Sequence, residues 1–215
     1  MKAVIFDMDG VLILSEKMHE FLYRKTLQHF GYTLTKQEYN TFFAGRGTLD
    51  GFEACFHAKN IPLGDIERYI TLYRQLKRDI IHHHLKEHIT LREGTSVLLT
   101  DLAKKYKLAI ATSTIKEFTE NLVDAFGFKE YFSVIVCGAD VKKGKPDPEI
   151  FLKAAEKLLV SPKDCVVIED AENGVLAAKN AGMVCVALYD AERDLTKADY
   201  IVKDFSELKK LLHSI

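Results

Sequence analysis

Five short apolar segments rich in β-branched residues constrain the fold of this chain more than any other feature. They span residues 3–7, 107–112, 133–137, 165–169 and 184–188, and a sixth run at 199–202 predicts an edge strand. Their apolar residues follow one another instead of alternating with polar ones, which is typical of strands buried on both faces of a parallel sheet. From residue 95 onward, helical patterns separate these segments. We therefore predict an α/β fold with a doubly wound parallel sheet.

Residues 15–88 interrupt this alternation and predict an all-helical insertion after the first strand. Helical patterns cover 16–30, 36–43, 48–58 and 64–86, and glycines and Pro62 separate them. The α/β core is then expected to comprise residues 1–14 and 89–215. Three consecutive histidines at 82–84, followed by His88, lie near the end of the insertion. We interpret them as a solvated helical face, because consecutive residues point in different directions on a helix and no acidic or thiol partner stands in an obvious context.

The helices predicted for the core lie at 95–106, 116–126, 148–159, 173–181 and 205–213. Asp147 is expected to cap the third of these helices, with Pro148 at its first position. Gly182 is expected to end the fourth.

The composition excludes several classes of partner. The 215 residues carry 30 basic and 31 acidic side chains, a balance that offers no electrostatic footprint for nucleic acid or an anionic membrane. No apolar run reaches the roughly 18 residues of a membrane helix, and a strand that begins at residue 3 leaves no room for a cleavable signal. The four cysteines form no CxxC pair and are expected to be reduced, buried thiols. These features predict a cytoplasmic protein.

Polar residues follow the predicted strands at the points where they end. In an open parallel sheet, ligands bind beyond the carboxyl ends of the strands. The residues at these ends are Asp7 and Asp9, Thr112-Ser113-Thr114, Lys145 and Glu169-Asp170. Each of them alone is as compatible with a helix cap or a solvated side chain as with a site, but their occurrence at four successive strand ends favours one shared site.

The charges of these residues indicate what binds between them. Four carboxylates in one pocket repel one another, and a divalent cation would offset that repulsion. An all-oxygen ligand set without histidine or cysteine favours Mg²⁺ over Zn²⁺. Lys145, the Thr112 hydroxyl and backbone amides at the following helix N-terminus are suited to phosphate oxygens. The sequence therefore predicts a site for Mg²⁺ and a phosphoryl group.

Four ordered motifs resemble those of the haloacid dehalogenase superfamily. They read FDMDGVL, IATST, KKGKPDPEIF and VIEDAENGVLAAKNAGM, and together they are highly specific. Over essentially the whole chain, the sequence is similar to the branch of small phosphatases and β-phosphoglucomutases that carry a helical cap after the first strand. The resemblance implies a Rossmann-like core with the cap at residues 15–88.

The resemblance also implies a role for each motif residue. Asp7 would be the nucleophile that forms an aspartyl-phosphate, and Asp9 the general acid and base. Thr112 and Lys145 would hold the phosphoryl group, and Ser113 is a further candidate for substrate binding. The implied metal site comprises the Asp7 and Asp170 side chains and the backbone carbonyl of Asp9, with Glu169 in or beside it. The dehalogenases, phosphonatases and transport ATPases of the superfamily lack an acid at the position of Asp9.

Two positions depart from the usual family pattern. Leu14 stands where close relatives carry Asp. We expect Leu14 to pack against the cap, and we expect the absence of the Asp to remove no catalytic atom. Ala171 stands where relatives often carry Ser.

Three functions stay open at this stage. The first is a Mg²⁺-dependent phosphatase acting on small phosphorylated metabolites such as sugar phosphates, the second a β-phosphoglucomutase, and the third a binding protein that lacks activity. Candidate substrate residues in the cap are His19, Arg46, Thr48, Tyr73 and Lys77. The mutases carry Arg three residues after a cap glycine, whereas counting from Gly45 gives Thr48 here, and this favours the phosphatase. The oligomeric state is open, with a monomer favoured.

Overall fold

The computed structural model describes residues 1–44, 46–191 and 193–215. These residues form two compact units. A core unit comprises Met1–Leu14 and Thr90–Ile215, and a helical unit comprises Ser15–Ile89.

The core unit is built on a six-stranded parallel sheet. Its strands and a short two-stranded ribbon are β1 (Ala3–Phe6), β2 (Ile13–Leu14), β3 (Thr90–Leu91), β4 (Lys107–Thr112), β5 (Val134–Cys137), β6 (Cys165–Glu169), β7 (Val184–Leu188) and β8 (Tyr200–Val202). The strand order in the sheet is β5-β4-β1-β6-β7-β8, and β2 pairs with β3 in the ribbon. The α/β fold with a parallel sheet is therefore confirmed, whereas the ribbon was not expected. Its two-residue strands are too short to produce a readable pattern.

The helical unit has an aromatic interior. Its helices are α1 (Glu16–His29), α2 (Lys36–Phe42), α3 (Thr48–Lys59), α4 (Ile66–Asp79) and α5 (Leu85–His88). Tyr23 stacks on Phe43 and Tyr73, with ring centroids 4.0 and 4.6 Å apart, and Phe52 packs edge-on against Tyr23. Stacked and edge-on aromatic pairs of this kind stabilise a small core beyond the area that they bury.

The single helix predicted over 64–86 is wrong in detail. The segment comprises a 3₁₀ turn (Leu63–Asp65), α4, a π-helical stretch (Ile80–His84) and α5. The three consecutive histidines lie on the π-helical stretch and are exposed, as predicted.

Among the described residues, the core unit also contains five α-helices. They are α6 (Thr95–Leu102), α7 (Lys116–Ala125), α8 (Glu149–Leu158), α9 (Glu172–Asn180) and α10 (Phe205–Leu212). The helix expected to begin at Pro148 begins at Glu149, with Pro148 at the N-cap, so the prediction of Asp147 as the cap is wrong by one residue. Asp147 Oδ1 nevertheless accepts the Glu149 amide at 3.0 Å. Gly182 follows α9 with φ of +69°, a conformation that favours glycine. Within the described residues, none of the helices combines the length and the apolarity that crossing a bilayer requires.

Candidate active site

The register of the sheet brings the ends of three neighbouring strands together. Phe6 of β1 lies opposite Ile110 of β4 and Ile168 of β6. Asp7 continues β1, and its amide donates to the Ile168 carbonyl oxygen at 2.9 Å. Asp7 therefore lies between the ends of β4 and β6, at the edge where a ligand is expected.

Lys145 joins two buried carboxylates at this edge. Its Nζ donates to Asp7 Oδ1 at 2.5 Å, to Glu169 Oε1 at 2.7 Å and to the Ala111 carbonyl oxygen at 3.3 Å. Burial lowers the pKa of Lys145, but the two carboxylates raise it by more, so the ammonium group stays charged. Burial raises the pKa of Asp7 well above its usual range. Lys145 opposes that rise and Glu169 adds to it.

Glu169 organises the chain on both sides of itself. Its Oε2 accepts the amides of Asp170 at 2.8 Å and Ala171 at 2.9 Å, while Oε1 accepts Lys145. A Cβ at Gly174 would lie 1.7 Å from Oε1, so α9 can approach this carboxylate only with glycine there. The hydrogen bond at Ala171 is donated by its backbone amide, so it does not depend on the serine side chain that relatives often carry at this position.

Asp9 is oriented by a threonine. Thr114 Oγ1 donates to Asp9 Oδ2 at 2.7 Å, and the Thr114 amide lies 3.2 Å from Thr112 Oγ1. Thr112 is buried at the end of β4, whereas the neighbouring Ser113 is exposed. The sequence indicated all three hydroxyl groups, but it did not single out Thr114 as the partner of Asp9.

Arg92 and Thr95 hold the loop that carries Asp9. Arg92 Nε lies 3.1 Å from the carbonyl oxygens of Gly10 and Val11, and its Nη2 also donates to Gly10. Thr95 Oγ1 lies 3.1 Å from the Leu12 carbonyl oxygen. Gly10 has φ of +81°, and a Cβ there would lie 2.1 Å from Asp170 Oδ2. Glycine is therefore required both by the turn and by the close approach of the two loops.

Asp170 is buried beside an arginine. Arg193 Nη1 donates to the Asp170 carbonyl oxygen at 2.9 Å and to its Oδ2. Burial raises the pKa of Asp170 to about 6, Arg193 opposes the rise, and Glu169 adds to it. Neither Arg92 nor Arg193 belongs to one of the four motifs, and no local sequence pattern distinguishes them from solvated arginines.

The donor chemistry at Asp7 and Asp170 fits a hard divalent cation. Both carboxylates are buried, and the charge of Asp170 raises the pKa of Asp7, so the two repel each other without a cation between them. Two carboxylates and a backbone carbonyl are ligands that Mg²⁺ accepts alongside water and phosphate oxygens. In the described ranges, no three histidine, cysteine or acidic residues form a metal-binding group by side chains alone. A divalent cation here would therefore need further oxygen ligands from the backbone, from substrate or from water.

The candidate substrate residues of the helical unit have separate surroundings. His19 Nδ1 and the Tyr73 hydroxyl are 2.8 Å apart. Arg46 is exposed in a turn, and Lys77 is half-buried on α4. Gly45, from which the mutase comparison is counted, lies outside the described residues. Leu14 forms part of β2 opposite Thr90 and its side chain is exposed, and its predicted contact with the cap stays a prediction.

A match to a family model decides which family the chain belongs to. The model of haloacid dehalogenase-like hydrolases matches residues 4–188, well over half of the chain. The chain belongs to the haloacid dehalogenase-like hydrolase family. This membership confirms the resemblance carried by the four motifs and makes the chain an enzyme of that family.

Relatives and solved structures place the chain in one branch of the family. A phosphorylated carbohydrates phosphatase of Thermotoga maritima is 36 % identical over 183 residues, which are 85 % of this chain and 82 % of the relative. A β-phosphoglucomutase of Bacillus subtilis is 31 % identical over 219 residues, covering 99 % of this chain and 94 % of the relative. The crystal structure of a proposed β-phosphoglucomutase from Thermotoga maritima matches with a TM-score of 0.84 and 31 % identity, covering both chains completely. The branch is that of phosphatases and β-phosphoglucomutases.

Proposed function

We propose that the chain is a Mg²⁺-dependent phosphatase that hydrolyses small phosphorylated metabolites, sugar phosphates in particular, through an aspartyl-phosphate. The observation that carries this proposal is the buried carboxylate of Asp7 at the sheet edge, bound to Lys145 at 2.5 Å, with Asp9 two residues further on. The phosphorylated carbohydrates phosphatase of Thermotoga maritima supports the substrate class. The four buried, free cysteines are consistent with our prediction of a cytoplasmic enzyme.

Asp7 and Asp9 divide the chemistry between them. Asp7 Oδ attacks phosphorus, and the bond from phosphorus to the leaving oxygen breaks as Asp9 gives that oxygen a proton. In the second half, Asp9 takes a proton from water, whose oxygen attacks phosphorus and releases inorganic phosphate and the Asp7 carboxylate. The Thr114 hydroxyl orients Asp9 for both transfers through its bond to Oδ2.

Lys145, Thr112 and Glu169 prepare the phosphoryl site. Lys145 supplies a fixed positive charge next to the oxygens that gain charge in transfer, and Thr112 supplies a hydroxyl at the end of β4. Glu169 positions Lys145 and the Asp170 backbone, and its two oxygens accept hydrogen bonds from these groups. We therefore propose that Glu169 stands beside the metal site and not among the ligands. Ser113 stays a candidate for substrate contact.

Asp7, Asp170 and the backbone carbonyl of Asp9 are the proposed magnesium ligands. When bound, Mg²⁺ would neutralise the repulsion between the two carboxylates and offer a positive charge to a phosphate oxygen. Further positive charge close to the site comes from Lys145 at Asp7 and from Arg193 at Asp170.

Variants of the two aspartates test this proposal directly. Asp7→Asn should abolish release of phosphate from an aryl phosphate in Mg²⁺, because the amide is a poor nucleophile of nearly the same volume. In Asp9→Asn, turnover of alkyl phosphates should fall by 10²- to 10⁴-fold, and turnover of aryl phosphates should fall less, because their leaving groups need no proton. Activity of Asp7→Asn within about tenfold of the wild type, or equal losses of Asp9→Asn with both substrates, would contradict the assigned roles.

A second candidate, interconversion of sugar phosphates, rests on the 31 % identity to the Bacillus subtilis β-phosphoglucomutase. The family resemblance also implies that His19 matches a histidine that the mutases carry early in the first cap helix. A mutase must hold a bisphosphorylated sugar in either orientation and keep water away from the aspartyl-phosphate. The test supplies β-glucose 1-phosphate with catalytic β-glucose 1,6-bisphosphate and Mg²⁺, and follows glucose 6-phosphate and free phosphate separately. Phosphate release from several monophosphates without isomerisation supports the phosphatase, and faster formation of glucose 6-phosphate supports the mutase.

A further inference from the structure

Arg193 reaches from the surface to the carboxylate of Asp170. Its Nη1 donates to Asp170 Oδ2 and to the Asp170 carbonyl oxygen, the latter at 2.9 Å. The exposed fraction of the Arg193 side chain is 39 %, against 10 % for Asp170. The guanidinium thus enters the site from the segment that follows β7, and it gives a buried carboxylate a positive partner.

A second acidic residue holds the same guanidinium from outside. Asp190 Oδ2 lies 3.3 Å from Arg193 Nε, three residues earlier in the chain. Arg193 therefore has two acidic partners, one buried at the proposed metal site and one half-buried in its own segment. If Asp170 is taken by another cation, Arg193 retains Asp190 as a partner and need not be left without a counter-ion.

We propose that Arg193 is the internal counter-ion of Asp170 and competes with the divalent cation for it, an inference that rests on the proposed function. Two positive groups on one buried carboxylate repel each other, whichever oxygen each one contacts. Binding of the metal therefore weakens the interaction between Arg193 and Asp170. Arg193 weakens the affinity of the site for metal, and it stabilises the metal-free arrangement in which it pairs with Asp170.

The test measures binding of Mn²⁺, read as loss of the free-ion signal in electron paramagnetic resonance. The proteins are the wild type, Arg193→Gln, Arg193→Lys and a control, Lys209→Gln, which removes an equal charge from an ion pair between α10 and Asp101 of α6. Arg193→Gln should bind Mn²⁺ about three- to tenfold more tightly than the wild type, because it loses a partly exposed, charge-assisted contact. The Mn²⁺ affinity of Arg193→Lys should lie between those of the wild type and Arg193→Gln, and the affinity of the control should stay within about twofold of the wild type.

A measurement on the wild type protects the test against a variant that fails to fold. The Nε–H signal of Arg193, assigned by nuclear magnetic resonance, should shift as Mg²⁺ is added, with the same midpoint as metal binding. Unchanged or weaker Mn²⁺ binding by folded Arg193→Gln, or an Nε–H signal that ignores saturating Mg²⁺, would overturn the inference alone. A wild type that binds neither ion would overturn the proposed function and this inference with it.

Discussion

Asp170→Asn should stabilise the metal-free protein at neutral pH, although it removes a proposed metal ligand. Burial raises the pKa of Asp170 from its ordinary value of 3.8 to about 6, in spite of the opposing charge of Arg193. The ionised carboxylate is therefore less favourable in the folded protein than in the unfolded chain. A rise of roughly two pKa units corresponds to about 3 kcal/mol of lost stability at pH 7.5, where the group is ionised in both states.

The pH dependence of this effect has a definite sign. Between the unfolded pKa and the raised folded pKa, the folded protein binds more protons, so the stability contributed by Asp170 falls as the pH rises through this window. At pH 4.5 the folded carboxyl is still protonated, and the penalty is only about 1 kcal/mol. Asparagine is neutral at both pH values, so its advantage over aspartate should grow by about 2 kcal/mol between pH 4.5 and pH 7.5.

Urea unfolding in EDTA at these two pH values measures the difference between the wild type and Asp170→Asn. Asp164→Asn is a control of opposite sign, because the pKa of Asp164 is lowered by Lys2, whose Nζ is 2.9 Å away. The destabilising effect of Asp164→Asn should increase with pH. An advantage of Asp170→Asn that is equal at both pH values, or larger at pH 4.5, would refute the reasoning. Excess Mg²⁺ should reverse the order at pH 7.5, since only a folded protein with an intact site gains stability from the ion.

Three further substitutions test the loops and the ion pair. Gly10→Ala would place a Cβ 2.1 Å from Asp170 Oδ2 at a positive φ. The Mg²⁺ affinity measured by calorimetry should therefore fall at least about tenfold, and the free energy of unfolding should fall by about 1–2 kcal/mol. A Mg²⁺ affinity within twofold of the wild type would contradict this. Thr114→Val removes the donor to Asp9 and should lower turnover of alkyl phosphates by about tenfold, whereas Thr114→Ser should retain activity. Equal rates for the two variants would argue against an orienting role. Lys145→Met leaves two buried carboxylates without a cation and should cost about 3–5 kcal/mol in urea unfolding at pH 7.5, less in acid; a smaller loss at pH 7.5 than in acid would be inconsistent with the ion pair.

The sequence by itself determined the sheet and the set of residues at its edge. Strands buried on both faces of a parallel sheet must be apolar at nearly every position, so each strand leaves a continuous run that can be found without other information. Because parallel strands end at the same edge, the polar residues after those runs, from Asp7 to Asp170, could be grouped before any coordinates were known. Helix ends were less well defined, since a π-helical stretch and a 3₁₀ turn preserve much of the apolar spacing of an α-helix.

Only the tertiary structure decided which side chains meet at that edge. Thr114 and Asp9 are 105 residues apart in the chain, Arg92 and Gly10 are 82 apart, and Arg193 and Asp170 are 23 apart. Contacts of this kind depend on the path of the loops after the strands, and loops have no periodicity that reports which way a side chain points. The pKa directions were likewise beyond the sequence, because burial and the distance between charges set them, and both are properties of the folded chain.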